Sequence, residues 1–146
     1  MKKHIITLLI CLITLTINAQ HNREKIQSLK VAFITEQLDL TKKEAQKFWP
    51  VYNEFDKKSA TIKYHEMRTL RQEIKDNVST LTNEKALDLM TKIESIESRL
   101  CALRINFSEK IKTILPPKKV IKLKVAEEDF KRKMLDRYRK HRGGER

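Results

Sequence analysis

Glycine is nearly absent from this chain, and that restricts its fold more than any other feature. Among 146 residues only Gly143 and Gly144 are glycine, both at the C-terminal end. Phosphate-cradling loops and dinucleotide-binding turns need glycine where backbone approaches a ligand or takes a positive φ. P-loop and Rossmann architectures are therefore excluded. All-β architectures need many turns, and three prolines with two terminal glycines do not supply them. Helix is what remains. An apolar fraction of 40% against 35% charged residues allows one ordinary domain with a thin core.

The first residues read as an export signal. Lys2, Lys3 and His4 form a basic start, Ile5 to Ile17 carries no charge, and Asn18-Ala19-Gln20 offers a small residue at the cut. The apolar run is shorter than the roughly 20 residues a spanning helix needs, so residues 1–19 are expected to be cleaved rather than retained. Cys11 lies in Leu8-Leu9-Ile10-Cys11, a poor match to the small residues that precede a lipidated cysteine. Cleavage leaves Cys101 as the single cysteine, so no internal disulfide forms. Burial, a free thiol and an intermolecular bridge all stay open for it.

The spacing predicts an all-α chain of four helices in a single domain over 20–141. The first, over 22–38, carries Ile26, Leu29, Ala32 and Phe33. Thr41-Lys42-Lys43-Glu44 is a capping box that opens the second, whose apolar positions are Phe48, Tyr52, Phe55, Ile62, Leu70 and Ile74. Pro50 falls inside this helix and predicts a kink there. Residues 76–80 are turn-like, and Thr82 caps a third helix with Glu84 in its first turn. The third has the clearest seam: Ala86, Leu89, Ile93, Ile96, Leu100, Leu103, Phe107, Lys110 and Ile114 alternate by three and four. The short connection makes the second helix its antiparallel partner. Pro116-Pro117 ends the third, and Pro117 can open the fourth. Val120, Leu123, Phe130 and Met134 line one face of the fourth, interrupted by Glu127. Residues 142–146 read as a disordered basic tail.

No catalytic constellation, metal site or cofactor site is expected. Beyond the signal the histidines are His21, His65 and His141, and His65 has no His, Asp or Glu three or four residues away. Glu94, Glu97, Glu127 and Glu128 fit solvated helix faces. Charge is the stronger signal. The chain holds 32 Lys+Arg against 19 Asp+Glu, and twelve of those cations fall in residues 117–146 beside five carboxylates. Lys131, Arg132, Lys133, Arg137 and Arg139 make the fourth helix a cationic element. Export argues against nucleic acid as its partner. The acidic partners left are lipid head groups, lipopolysaccharide and acidic polypeptides.

An exported all-helical chain with Leu40-Thr41-Lys42-Lys43-Glu44 resembles the LTxxQ-motif periplasmic family of Spy- and CpxP-like proteins. Glu44 stands at the motif's Gln. The second motif falls at Leu115-Pro116-Pro117-Lys118-Lys119, without the Thr and the Gln. Phe48-Trp49-Pro50-Val51-Tyr52 is similar to the variant labelled as sensors of extracytoplasmic-function sigma factors. The resemblance implies a periplasmic protein built as a long, bent antiparallel hairpin that dimerises into a cradle. Leu87, Met90 and Ile105, off the seam, are residues that a second copy could cover. The resemblance also implies ATP-independent binding of unfolded or acidic clients in the envelope stress response, with Trp49 and the fourth-helix cations as the candidate surface. The alternative it implies is a sensor or adaptor that contacts a membrane-bound partner, in some relatives in response to a metal.

Overall fold

A computed structural model describes residues 24–143. The expected export segment and its expected cut at Ala19, Cys11, His21 and residues 144–146 lie outside the described residues. The described chain is all-α, with no strand. Helix α1 covers residues 24–38. Then come α2 (Lys42–Ala60), a π-helical turn (Thr61–Glu66), α3 (Met67–Asn77), a 3-10 turn (Val78–Thr80), α4 (Asn83–Lys112) and α5 (Pro117–Gly143). Because α2, the π turn and α3 are continuous, the described residues form four helical segments, as the periodicity implies. Helix α5 includes Arg142 and Gly143, which the sequence assigns to the tail.

The caps explain the boundaries. Helix α1 ends in a Schellman motif: the Leu40 N–H donates to the Thr35 carbonyl and the Asp39 N–H to that of Glu36, each at 3.1 Å. Asp39 takes φ 48°, the left-handed position where glycine usually stands. Thr41 caps α2 through the full capping box, and Thr82 caps α4 by accepting from the Lys85 N–H. Pro50 does not change the helix type of α2. Both Pro50 and Gln46, whose carbonyl loses its donor, are exposed, so water can serve that carbonyl. The departure from α geometry comes later, where the Met67 N–H reaches back to the Ile62 carbonyl.

Two compact units share the chain. Among the described residues one comprises 24–40 and 121–143; the other is Thr41–Val120. The core of the first is Ile34, Leu38, Leu123, Ala126 and Phe130, with the Phe33 and Phe130 rings 5.8 Å apart. This corrects the expected face of α1. Ile26 and Ala32 are exposed, and Ile34 and Leu38 are fully buried.

The second unit is an antiparallel hairpin of α2–π–α3 against α4. Phe55 meets Phe107, Glu66 meets Arg99, and Glu73 meets Lys85, so one strand of the hairpin descends as the other climbs. Its seam is the expected one through Leu89, Ile96 and Phe107, with one correction: Lys110 is exposed and Ile111 is fully buried. Steps of three and of four from Phe107 both land near the seam, and burial favours the apolar one. Full burial of a large apolar side chain contributes about 2 kcal/mol, whereas exposed ion pairs contribute little. Phe48, Tyr52, Leu70, Leu89, Ile96, Ile111 and Leu115 therefore hold this unit together.

Candidate functional site

The hairpin carries an open groove of about 780 Å³. One wall is a stripe at helical spacing on α2 and the π turn: Val51, Phe55, Lys58, Ile62 and Glu66. The other is a stripe on α4: Arg99, Leu103, Asn106, Phe107 and Lys110. At 1.5 Å per residue the α4 wall is about 16 Å long. The floor is apolar and half-buried: Val51, Phe55, Ile62, Leu103 and Phe107. Phe55 and Phe107 stack at 4.1 Å between centroids, and Tyr52 meets Phe107 edge-on at 6.0 Å.

Its rim is charged and mainly positive. Lys58 bonds Glu54 at 2.6 Å, and that bond, with the charges of Lys58 and Lys110, holds the Glu54 carboxyl below the usual glutamate range. Arg99 forks onto both Glu66 oxygens, which raises the guanidinium pKa further. Lys57 and Lys110 make no ion pair among the described residues. A second groove, of about 670 Å³, starts at the same Glu66 and Arg99 and continues toward the closed end of the hairpin, lined by His65, Leu70, Glu73, Lys92 and Ile96.

The π turn positions the first groove. Apolar positions of α2 recur at Phe48, Tyr52, Phe55 and Ile62, but the next buried residue is Leu70, eight residues on rather than seven. One extra residue must be absorbed, and the wider π turn absorbs it. Its Thr61, Ile62 and Glu66 all line the groove. The eight-residue step from Ile62 to Leu70 is the signal in the sequence that marks the π turn.

The candidate residues named from sequence fall into both units. Phe48 and Tyr52 are buried, while Trp49 is half-buried with its ring edge-on to both, at 4.9 and 5.5 Å. Trp49 thus packs on its own helix. Lys131, Arg132, Lys133, Arg137 and Arg139 are exposed on α5 in the other unit. Lys133 lies over the Phe33 ring at 5.0 Å, while Arg132 and Arg139 pair with Asp129 and Asp136. Cys101 is an exposed free thiol on α4. Among the described residues no three His, Cys, Asp or Glu side chains are grouped to hold a metal ion.

The capping motif reaches further than its own helix. Glu44 Oε2 accepts from the Thr41 N–H at 2.8 Å, and the Glu44 N–H donates to Thr41 Oγ1 at 3.2 Å. The same Oε2 accepts from Lys119 Nζ at 2.8 Å, with both side chains about one-fifth exposed. The Lys119 bond first, and the Thr41 backbone bond second, lower the Glu44 pKa. Glu44 and Lys119 are the fifth positions of the two motif-like segments. Leu40 is half-buried and Leu115 is buried.

Fold and groove together define an all-α protein, one unit of which is a helical hairpin with an apolar channel edged by cations. No protein-family model, curated protein or solved structure matches the chain.

Proposed function

We propose that this is an exported, non-enzymatic binding protein of the Spy- and CpxP-like kind. It holds unfolded or stress-damaged polypeptides in the periplasm without ATP. The groove carries this reading. An unfolded segment presents apolar side chains and backbone together, and an open channel takes it sideways without threading an end. The half-buried rings of Phe55 and Phe107 supply the apolar contact, while Lys57 and Lys110 favour segments rich in Asp and Glu. The pairing of Glu44 with Lys119 lends support, because it joins the two segments that fall at the family's motif positions. A homodimer belongs to the same reading, with the exposed Leu87, Met90 and Ile105 as the surface to cover.

The test is light scattering of a chemically unfolded acidic protein diluted into buffer with the chain from Gln20 on, without ATP. Suppressed aggregation at equimolar protein is expected, and K57S/K110S is expected to weaken it while the far-ultraviolet dichroism stays unchanged. Full aggregation of the client at both low and high salt would overturn the reading. It would favour the sensor or adaptor alternative, for which cross-linking to a membrane-bound partner is the direct experiment.

A further inference from the structure

Helix α5 has a second face that the packing of its unit does not use. Leu123, Ala126 and Phe130 are buried on one side. At 100° per residue the opposite side carries Ile121, Val125, Glu128, Arg132, Leu135 and Arg139, at steps of three and four. Its apolar members are far from buried: Ile121 is 66% exposed, Val125 57% and Leu135 48%. Lys122, Lys124 and Lys131 flank this stripe, are exposed, and make no ion pair among the described residues. Arg132 and Arg139 hold only exposed pairs within their own helix, and such pairs cost little to exchange for another anion.

We propose that this face of α5 docks on an anionic phospholipid surface. A helix that alternates apolar side chains with lysine and arginine sinks its apolar atoms between head groups and sets its cations against lipid phosphates. Long lysine and arginine stems permit this, because the stem lies along the apolar layer while the charge stays in water. The face is a convex helix surface, which suits a broad lipid plane better than an extended peptide. It also argues against a second copy of the same face, since two stripes centred on Arg132 and Arg139 would repel. Glu128 is the one carboxylate near the stripe centre. The inference rests on α5 alone and stands or falls apart from the groove.

Cosedimentation with vesicles tests it. The chain from Gln20 on, which holds every described element, avoids a contribution from the apolar Ile5 to Ile17 run. It is mixed with phosphatidylglycerol/phosphatidylcholine vesicles and, separately, with pure phosphatidylcholine vesicles. Binding to the anionic vesicles alone is expected, and it should fall as salt is raised. K122S/K124S/K131S should lower the apparent affinity by about tenfold or more, with helicity retained. I121S/V125S should lower it by a few-fold, with the salt dependence retained. Equal binding to both vesicle types, or an unaltered affinity in the triple variant, overturns the proposal. So does sedimentation velocity showing a dimer that I121S/V125S dissociates, because the face would then be buried between copies.

Discussion

Glu44 does two jobs with one oxygen. It accepts the N–H of Thr41 at the start of α2 and the ammonium of Lys119, 75 residues away. Thr41→Ala removes the hydroxyl that accepts the Glu44 N–H, and is expected to cost about 1 kcal/mol in urea unfolding. Glu44→Gln separates the two jobs, because an amide oxygen still accepts the Thr41 N–H while the charge for Lys119 is gone. Since the folded state holds the Glu44 pKa below its ordinary value, the stabilisation is complete above the ordinary glutamate range. It disappears as the pH falls through the lowered folded value. Glu44→Gln should therefore unfold more easily than wild type near neutral pH, with a smaller loss on acidification. Identical acid limbs in urea titrations of the two proteins would refute the coupling. The cap was legible in Thr41-Lys42-Lys43-Glu44, because its partners are three residues apart. The Lys119 contact was not, because no local spacing reports a pair formed by tertiary packing.

At the scale of elements, periodicity identified what burial later selected. The α4 seam could be read almost whole, since steps of three and four link Leu89, Ile96 and Phe107 along most of the helix, while the apolar Leu87, Met90 and Ile105 fall off that track and stay exposed. In α1 the apolar residues are contiguous, Val31-Ala32-Phe33-Ile34, so spacing alone offered several faces, and packing chose the one with Ile34 and Leu38. The groove could have been found. A turn at Val78–Thr80 sets Phe55 opposite a residue near 105, and Phe107 is the aromatic there. The π turn yields the sharpest expectation at this scale. Deleting the exposed Lys63 restores a seven-residue step from Ile62 to Leu70 and allows unbroken α-helix. Stability should change by less than about 1 kcal/mol. Deleting Ser98 instead rotates Leu100, Leu103, Phe107 and Ile111 off the seam, at about 3 kcal/mol or more. If the two deletions lower the thermal midpoint equally, the π turn is not absorbing an extra residue. The Lys63 deletion should still weaken client capture, because Thr61, Ile62 and Glu66 would no longer line the groove together.

For the whole molecule, the excess of cations over carboxylates and the apolar groove act at different distances. The field of an exposed charge reaches about 10 Å at 0.1 M salt and about 3 Å at 1 M, so under the proposed function it would act while a client approaches and fade once the screening length is short. The floor of Val51, Phe55 and Phe107 acts only in contact, where salt screens little. Rates should therefore divide cleanly. Stopped-flow capture of an acidic unfolded client is expected to slow by about tenfold or more between low and high salt, with little change in its dissociation. Val51→Ser, half-buried on the groove wall, should do the reverse: several-fold faster dissociation with an unaltered association rate. If salt instead speeds dissociation and leaves association alone, the cations act inside the complex as individual contacts. The charge excess of the chain would then have no part in capture, and Lys57 and Lys110 would have to account for the whole electrostatic effect.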